Sequence, residues 1–302
     1  MRLGFAVKVL GGGGLPSHDT RRWQSGPSLD VSLDRLEAVL AYCDAQDIRM
    51  YRMATGLAPY ASHPELRQFR DAPARCAGRL AEVGARARAL DIRLSTHPGQ
   101  YTVLNSTDPA VQRAAVEELE VQAELLDGMG LGPEAVVVLH MGGAAGGPER
   151  FEAGFAQLSD AARARLAIEN DDRTYGLADA LRLAERLGRP VVFDIHHHHC
   201  HDPEGVPDRE ALALALATWP PGVTPKIHYS TPKTALEERR GRLALPHPRA
   251  HADGIDPFAF AQFLSDAAAG HDFDVMLEAK AKDLALLALR AALQPSRART
   301  TA

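Results

Sequence analysis

Residues 135–169 read AVVVLHMGGAAGGPERFEAGFAQLSDAARARLAIE, and they set the pattern of the chain. An apolar run ends at His140, a glycine-rich loop follows, and a helical stretch extends from Pro148 to Ala162. A second apolar run then ends at Glu169. Two short apolar runs separated by a helix are typical of a parallel strand–helix–strand unit. This stretch therefore predicts an α/β fold with parallel strands.

The same alternation repeats along the whole chain. Strands are predicted at residues 3–9, 48–53, 92–96, 135–139, 166–168, 191–195, 225–228 and 274–277. Helices are predicted at residues 32–45, 72–89, 109–127, 148–162, 177–187, 208–217, 257–269 and 281–293. Eight such units joined by right-handed crossovers predict a closed (β/α)8 TIM barrel, with a doubly wound open sheet as the alternative.

Length and composition agree with one globular domain. The 302 residues are 45% hydrophobic and 24% charged, and no linker or long charge run divides them. We predict a single TIM-barrel catalytic domain over residues 1–294 and a flexible C-terminal tail over residues 295–302. No signal peptide or transmembrane run is recognisable, and three widely spaced cysteines indicate neither a disulfide framework nor a CxxC metal site. These features predict a cytoplasmic protein.

The charge distribution excludes one class of nucleic-acid-binding protein. A formal net charge of −5 argues against bulk electrostatic coating of DNA but allows a local basic groove. Basic residues gather in and after the seventh predicted strand, at Lys226, Lys233, Arg239, Arg240, Arg242 and Arg249. A basic rim suits a phosphodiester substrate, although a solvated charge run without a function explains the same residues.

Ligand-type side chains stand at the ends of six predicted strands, where a TIM barrel carries its functional groups. They are His97, His140, Glu169, Asp194 followed by His197, His228 and Glu278. Imidazole and carboxylate together suit zinc, manganese or iron, and several of each around one mouth indicate more than one ion. The sequence therefore predicts a multinuclear metal site at the barrel mouth.

The run of four histidines at residues 196–199 needs separate treatment, because four adjacent side chains cannot all face one centre. Asp194 at the strand end and His197 three positions later can both turn into the mouth, so the other histidines are predicted to be bystanders. Ligand rings are usually oriented by a neighbouring carboxylate or carbonyl. Asp171, Asp172 and Asp202 are candidates for that role, and the sequence does not choose among them.

These residues together resemble the UV damage endonucleases, metal-dependent DNA repair enzymes with a TIM barrel like that of endonuclease IV. The resemblance covers nearly the whole chain, and the order and spacing of its motifs are specific as a set. The motifs are HPGQY at 97–101, LHMGG at 139–143, IENDD at 168–172, DIHH at 194–197, KIHYS at 226–230, HAD at 251–253 and MLEAK at 276–280.

The resemblance implies up to three divalent ions, with manganese expected and zinc or magnesium as alternatives. It implies metal ligands at His97, His140, Glu169, Asp194, His197, His228, His251 and Glu278. His251 comes from the resemblance alone, because Ala250-His251-Ala252 otherwise looks like exposed coil.

Catalytic roles are assigned to Glu169, Glu278, Lys226 and His228. Near several cations, the Lys226 amine is expected to deprotonate or to react with carbon dioxide and become an anionic ligand. Such a carbamate would add a carboxylate-like ligand to the site.

Gln100 and Tyr101 look like the family's probing residues, which fill the gap left when damaged nucleotides are flipped out of the duplex. The alternative for Tyr101 is that it packs within its own loop. Phe5 departs from the pattern, because some members have a tyrosine at the end of the first strand. Without the hydroxyl, Phe5 is expected to keep stacking on DNA and to lose a hydrogen bond.

The implied activity is hydrolysis of the phosphodiester immediately 5′ to cyclobutane dimers, 6-4 products and abasic sites in damaged double-stranded DNA, as a step of excision repair. One ion would generate hydroxide while the others stabilise the attacking and leaving oxygens. A monomer without a membrane or an obligate protein partner is expected, with Lys233, Arg239 and Arg240 on the DNA backbone.

Three alternatives remain open. The first is an apurinic endonuclease of the endonuclease IV type, which has the same fold and cluster. The second is a sugar isomerase or epimerase on a related barrel. The third is a metal-binding protein without catalysis.

Overall fold

Parallel strands alternate with helices in the computed structural model, which describes residues 1–239 and 241–294. The predicted tail, residues 295–302, and Arg240 lie outside the described residues. The strands are β1 (Leu3–Ala6), β2 (Met50–Arg52), β3 (Arg93–Ser95), β4 (Val137–His140), β5 (Leu166–Glu169), β6 (Val191–Val192), β7 (Lys226–Tyr229), β8 (Glu237–Arg239), β9 (Arg242–Ala244) and β10 (Asp274–Leu277). All except β8 and β9 correspond to the eight predicted strands.

The helices follow the predicted alternation. They are α1 (Leu29–Ala45), α2 (Ala72–Arg75), α3 (Ala77–Ala89), α4 (Pro109–Gly128), α5 (Gly147–Phe155), α6 (Asp160–Arg165), α7 (Leu177–Leu187), α8 (Ile195–Cys200), α9 (Asp208–Ala217), α10 (Pro257–Asp266) and α11 (Lys282–Leu293). Asp108 and Asp256 cap α4 and α10, each accepting a hydrogen bond from a first-turn amide.

Three helix predictions need correction. Helix α1 begins at Leu29, before the predicted start at residue 32, because the Ser28 hydroxyl accepts a hydrogen bond from Val31 N. The predicted helix 72–89 is interrupted at Cys76, whose backbone is not helical. The predicted helix 148–162 is two helices, because Ser159 caps a new one. These local errors leave the strand–helix order unchanged.

Pairing of the strands closes the sheet into a barrel. One group has the order β3-β2-β1-β10-β7 and the other has the order β4-β5-β6. Parallel bridges from Thr96 to Val137 and from Asp194 to His228 join the two groups at both edges. The ring therefore runs β1-β2-β3-β4-β5-β6-β7-β10 and returns to β1. The (β/α)8 prediction is confirmed, and the open sheet is wrong.

The period-two alternation of strand side chains separates two environments. Outward-facing residues form the main apolar core between strands and helices. Inside the barrel lie smaller apolar clusters, one of which contains Ala6, Met50 and Met276. Phe5 belongs to the outer core: it is fully buried and its ring lies 5.3 Å from that of Tyr51. The expectation that Phe5 stacks on DNA is wrong, because the alternation directs it toward the helix layer.

A long excursion, residues 231–252, leaves the barrel after β7. An antiparallel bridge between Pro232 and His251 closes its base, and Lys233 N donates to Ala250 O at 2.6 Å. Strands β8 and β9 form an antiparallel hairpin farther out, which the sequence did not predict. The excursion thus returns the chain to the barrel mouth at His251.

Over residues 1–239 and 241–294, no helix is both long and apolar enough to cross a bilayer.

Candidate metal centre

Six of the predicted ligands form two adjoining groups at the carboxyl end of the barrel. The first contains His97, Glu169, His228 and Glu278, and the second contains His140, Glu169 and His197. Within each group, the ligand atoms all lie within 4.8 Å of one another. Strand pairing explains the convergence, because β4 is in register with β5 at His140 and Glu169. Glu169 belongs to both groups and lies at the centre of the site.

The Glu169 carboxylate is surrounded by imidazoles. Its Oε2 lies 2.8 Å from His97 Nε2 and 3.2 Å from His140 Nε2, and its Oε1 lies 2.6 Å from His228 Nδ1. Complete burial raises the pKa of Glu169, but its interactions with His140, His228 and His97 more than offset this and hold it well below its usual value. The carboxylate is therefore available as a bridging ligand.

Buried side-chain atoms of the candidate ligands His140, Asp194 and His228 lack a partner among the described residues. Asp194 Oδ1 accepts a hydrogen bond from His197 N at 2.8 Å and caps α8, while Asp194 Oδ2 is buried and accepts none. His228 Nε2 is likewise buried without a partner. Buried polar atoms are rarely left unpaired, because desolvation costs about 1–3 kcal/mol. Divalent cations would satisfy Asp194 Oδ2 and His228 Nε2, so the donor set fits the predicted metals.

The histidine run forms helix α8, which separates its side chains. His197 faces the mouth, and its Nδ1 lies 3.1 Å from the carbonyl oxygen of Asn170. Burial by itself lowers the pKa of His197, but Asp194, Glu169 and Glu278 raise it to about 9. His198 Nε2 contacts Val206 O at 2.8 Å, and His199 contacts the Asp208 carboxylate at 3.0 Å. Helix α8 thus sends one histidine into the group and two away from it.

Backbone carbonyls orient the candidate ligand rings. The Nδ1 atom of His97 lies 3.0 Å from Pro98 O, and that of His251 lies 2.8 Å from Glu278 O. The three aspartates proposed for this role are engaged elsewhere. Asp171 accepts from the amides of Arg173 and Thr174, Asp172 pairs with Arg249, and Asp202 lies 3.7 Å from His198. Carbonyl oxygens, and not these three aspartates, therefore contact the rings of His97, His197 and His251.

His251 reaches the mouth through the closed base of the 231–252 excursion. Its Nδ1 lies 3.9 Å from Glu278 Oε2, and its ring centroid lies 6.2 Å from that of His197. This placement puts His251 at the edge of the site. A long-range bridge produces it, which explains why no local pattern identified the residue.

Sequence reasoning missed Arg52, the last residue of β2. Its guanidinium forms an ion pair with Glu278 inside the barrel. Burial raises the pKa of Glu278, and Arg52 together with His228 brings it below its ordinary value. The sequence did contain a signal for Arg52: it is a cationic side chain at the end of a predicted strand, as the candidate ligands are. Arg52 keeps Glu278 ionised and fixes its orientation.

Lys226 lies inside the barrel and not on the rim where the basic cluster was expected. It begins β7 and is fully buried, and its Nζ has no hydrogen-bond partner among the described residues. Burial is the main cause that lowers its pKa far below the ordinary value, with Arg93 and Arg52 adding to the shift. A neutral amine is the form that reacts with carbon dioxide.

The remaining predicted site residues lie around the barrel mouth, outside the two His/Glu groups. Tyr101 is 84% exposed, so it does not pack within its loop. Gln100 lines a cavity of about 490 Å³ next to His140. Lys233 forms an ion pair with Glu237 at 2.6 Å. Arg239 is described only by its backbone in β8.

Three comparisons relate the chain to known proteins. The sequence model of the family described as UV-endonuclease UvdE matches residues 30–300. A UV DNA damage endonuclease from Bacillus pumilus (strain SAFR-032) is 34% identical over 256 residues, which cover 83% of this chain and 76% of that protein. One from Bacillus thuringiensis subsp. konkukian (strain 97-27) is 33% identical over 85% of this chain and 80% of that protein.

Solved structures agree with this relationship. The crystal structure of SacUVDE matches with a TM-score of 0.81 and 31% identity, covering 96% of this chain and 97% of that chain. A D-psicose 3-epimerase solved with D-fructose matches with a TM-score of 0.53 at 14% identity, covering 92% and 85%, and this likeness concerns the fold alone. With the matched length, the identity and the shared barrel in agreement, the chain belongs to the UV DNA damage endonuclease family.

Proposed function

We propose that this protein is a divalent-metal-dependent endonuclease that hydrolyses the DNA phosphodiester immediately 5′ to cyclobutane dimers and 6-4 products, and also at abasic sites. The observation that carries the proposal is the pair of His/Glu groups that share Glu169 at the barrel mouth. The unpaired Asp194 Oδ2 and His228 Nε2 support bound cations there. Residues 1–294 would act as one catalytic unit, as a cytoplasmic monomer.

Eight residues would hold the ions: His97, His140, Glu169, Asp194, His197, His228, His251 and Glu278. Manganese is proposed because the set mixes imidazoles with carboxylates and contains no thiolate, with zinc and magnesium as alternatives. When bound, the ions would supply an activated water and neutralise charge on the phosphodiester. Glu169 would bridge neighbouring ions, and Arg52 would keep the Glu278 carboxylate ionised and aligned.

The loop after β3 would recognise the lesion. Tyr101 projects into solvent beside the mouth, where an aromatic ring can stack in the gap left by flipped nucleotides. Gln100 offers an amide for the exposed base edges. Photodimers and abasic sites stack poorly, so they cost less to extrude than normal bases. Selection would therefore follow deformability more than base sequence.

The test is incision of an end-labelled duplex that contains one cyclobutane dimer, with undamaged and abasic duplexes as controls. Manganese, zinc and magnesium are compared after removal of bound metal. We expect a single nick directly 5′ to the dimer with manganese, and its loss with chelator. Glu185→Gln, an exposed carboxylate change on α7, serves as a matched control for Glu169→Gln.

Other outcomes would replace the proposal. Cutting of the abasic duplex alone would favour an apurinic endonuclease of the endonuclease IV type. Absence of cutting on every duplex, together with turnover of a ketose, would favour a sugar epimerase. Tight metal binding without turnover of either substrate would indicate a non-catalytic protein.

A further inference from the structure

The β8–β9 hairpin displays three large apolar side chains to solvent. Leu236, Leu243 and Leu245 are 55%, 74% and 76% exposed. An isolated two-stranded hairpin is at best marginally stable in water, so apolar residues in such an element normally pack on something. Contiguous exposed apolar surface is a common feature of interaction sites.

The hairpin register relates the three leucines. Glu238 pairs with Leu243 and Glu237 pairs with Ala244, and Leu236 and Leu245 directly adjoin these paired residues. Side chains alternate between faces along a strand, so alternation continued by one residue beyond each strand sets Leu236 and Leu245 on the face of Leu243, which Glu238 shares. We call Leu236, Leu243 and Leu245 the leucine face. Gly241, with φ of 72°, allows the tight turn that produces this pairing.

The hairpin stands across the barrel mouth from Tyr101. In the ring β1-β2-β3-β4-β5-β6-β7-β10, strands β3 and β7 are four positions apart in either direction. Tyr101 follows β3 and the hairpin follows β7, so the two projections rise from opposite sides of the candidate metal centre. The hairpin base is bridged to His251 at the edge of that centre. A molecule lying across the mouth would meet both projections.

Charge identifies the partner. Residues 233–249 carry five cationic and two anionic side chains, a net charge of +3, on a chain whose net charge is −5. Arg242 is exposed and adjoins Leu243 in the chain, on the opposite face of the hairpin. Cationic side chains next to a polyanion, together with aliphatic wedges, are how many proteins open the DNA minor groove. A protein partner would need no such local reversal of charge.

We propose that the leucine face inserts into the minor groove of the damaged duplex and unstacks the base step beside the lesion, while Tyr101 acts from the opposite side of the mouth. This inference rests on the proposed endonuclease function and adds a second contact with the duplex. At about 3.3 Å per residue, the seven residues from Lys233 to Arg239 extend up to roughly 20 Å, more than the groove's depth of about 7.5 Å.

The test compares Leu243→Ser/Leu245→Ser with Leu214→Ser, an exposed leucine on the distant helix α9. Both variants should unfold at the wild-type temperature, because the substituted side chains are exposed. On a fully paired dimer-containing duplex, we expect the hairpin variant to nick about tenfold or more slowly, since unstacking a step costs a few kcal/mol. On a duplex with mismatches around the lesion, its rate should come within about twofold of wild type, because those bases are already unstacked.

A second readout needs no catalysis. With chelator present, 2-aminopurine beside the lesion should brighten on binding of wild type, Leu214→Ser and Leu243→Met/Leu245→Met, and stay dark with the serine variant. An equal loss of nicking on paired and mismatched duplexes, or no loss on either, would overturn the wedge. So would a change from dimer to monomer in the serine variant, which would make the leucine face a contact between copies.

The two proposals fail separately. If wild type nicks no lesion duplex, the proposed endonuclease function fails, and the 2-aminopurine signal still decides whether the hairpin unstacks DNA. If wild type nicks and the serine variant behaves like Leu214→Ser in both assays, only the wedge is overturned.

Discussion

Both ends of the barrel interior hold buried charged side chains, but the hydrogen bonding of these side chains differs between the ends. At the amino end, Arg93 and Asp274 form an ion pair at 3.0 Å, with side chains 1% and 2% exposed. Arg93 also donates to the carbonyls of Glu134 and Thr224, and Arg2 N donates to Asp274 Oδ1. At the carboxyl end, Asp194 Oδ2 and His228 Nε2 find no partner among the described residues.

The difference separates stability from function. A buried charge whose hydrogen bonds are complete holds the structure in one arrangement. Buried atoms that remain unpaired cost free energy unless a ligand completes them. Composition alone would not distinguish the two ends, because both contain acids and bases at barrel strands. The pattern of hydrogen bonds does distinguish them.

The largest effect should come from Glu169→Gln, which removes the carboxylate shared by both groups. We expect nicking to fall by about 10³-fold or more, because cations at such a site contribute several kcal/mol of charge stabilisation. Metal stoichiometry, measured by atomic emission, should fall as well. Glu185→Gln should match wild type in both measurements. Full metal content with full activity in Glu169→Gln would show that the Glu169 carboxylate is not needed for metal binding or for nicking.

Asp274→Ala should destabilise the fold through the amino end of the barrel. It leaves the Arg93 guanidinium buried without its carboxylate, which lowers the free energy of unfolding by about 3–5 kcal/mol. Urea denaturation measures this loss, and metal stoichiometry at low temperature should remain that of wild type. The double variant Arg93→Met/Asp274→Leu should recover much of the stability, since no charge is then left unpaired. Loss of metal with unchanged stability would contradict the contrast between the two ends.

Lys226 lies between the two ends and tests where the metal site begins. If its buried amine reacts with carbon dioxide and becomes an anionic ligand, Lys226→Met should lose one ion and Lys226→Glu should keep it. Full occupancy in both variants would show that Lys226 holds no metal. Mass spectrometry under carbon dioxide would detect the modification directly.

The smallest effect is a pH dependence at His197. In the metal-free protein its pKa is raised to about 9, so a cation must displace a proton at neutral pH. Metal affinity should therefore increase as pH rises toward 9. The same shift stabilises the metal-free fold fully below about pH 6.5, and this contribution is lost as pH rises through about 9.

Calorimetry in buffers of different ionisation enthalpy measures the released proton. His197→Ala should release fewer protons, and His199→Ala should match wild type because His199 contacts Asp208 instead of the site. Affinity that is independent of pH would show that His197 does not bind the metal.

Much of the site could be predicted from strand ends alone. His97, His140, Glu169, His228 and Glu278 each follow an apolar run, and parallel strands bring their carboxyl ends to one face of a barrel. The helix starts at residues 109 and 257 were also predicted correctly, because capping by Asp108 and Asp256 is a local interaction between a side chain and the next turn.

Other features depended on distant contacts. The Arg52–Glu278 ion pair joins strands that are far apart along the chain, and the Pro232–His251 bridge carries His251 to the mouth. The expectation that Phe5 stacks on DNA was wrong because it came from the family position alone and did not consider which face of β1 the side chain occupies. The leucine face required a register that no short pattern specifies.

The sequence by itself therefore determined the order of strands and helices, the barrel and most candidate ligands, because hydrophobic period, capping and strand ends are local properties. Tertiary structure alone decided which buried polar atoms are paired and which remain open, since that depends on side chains from different strands. It also decided where the hairpin stands relative to Tyr101, because only closure of the eight-stranded ring sets β3 and β7 on opposite sides of the mouth.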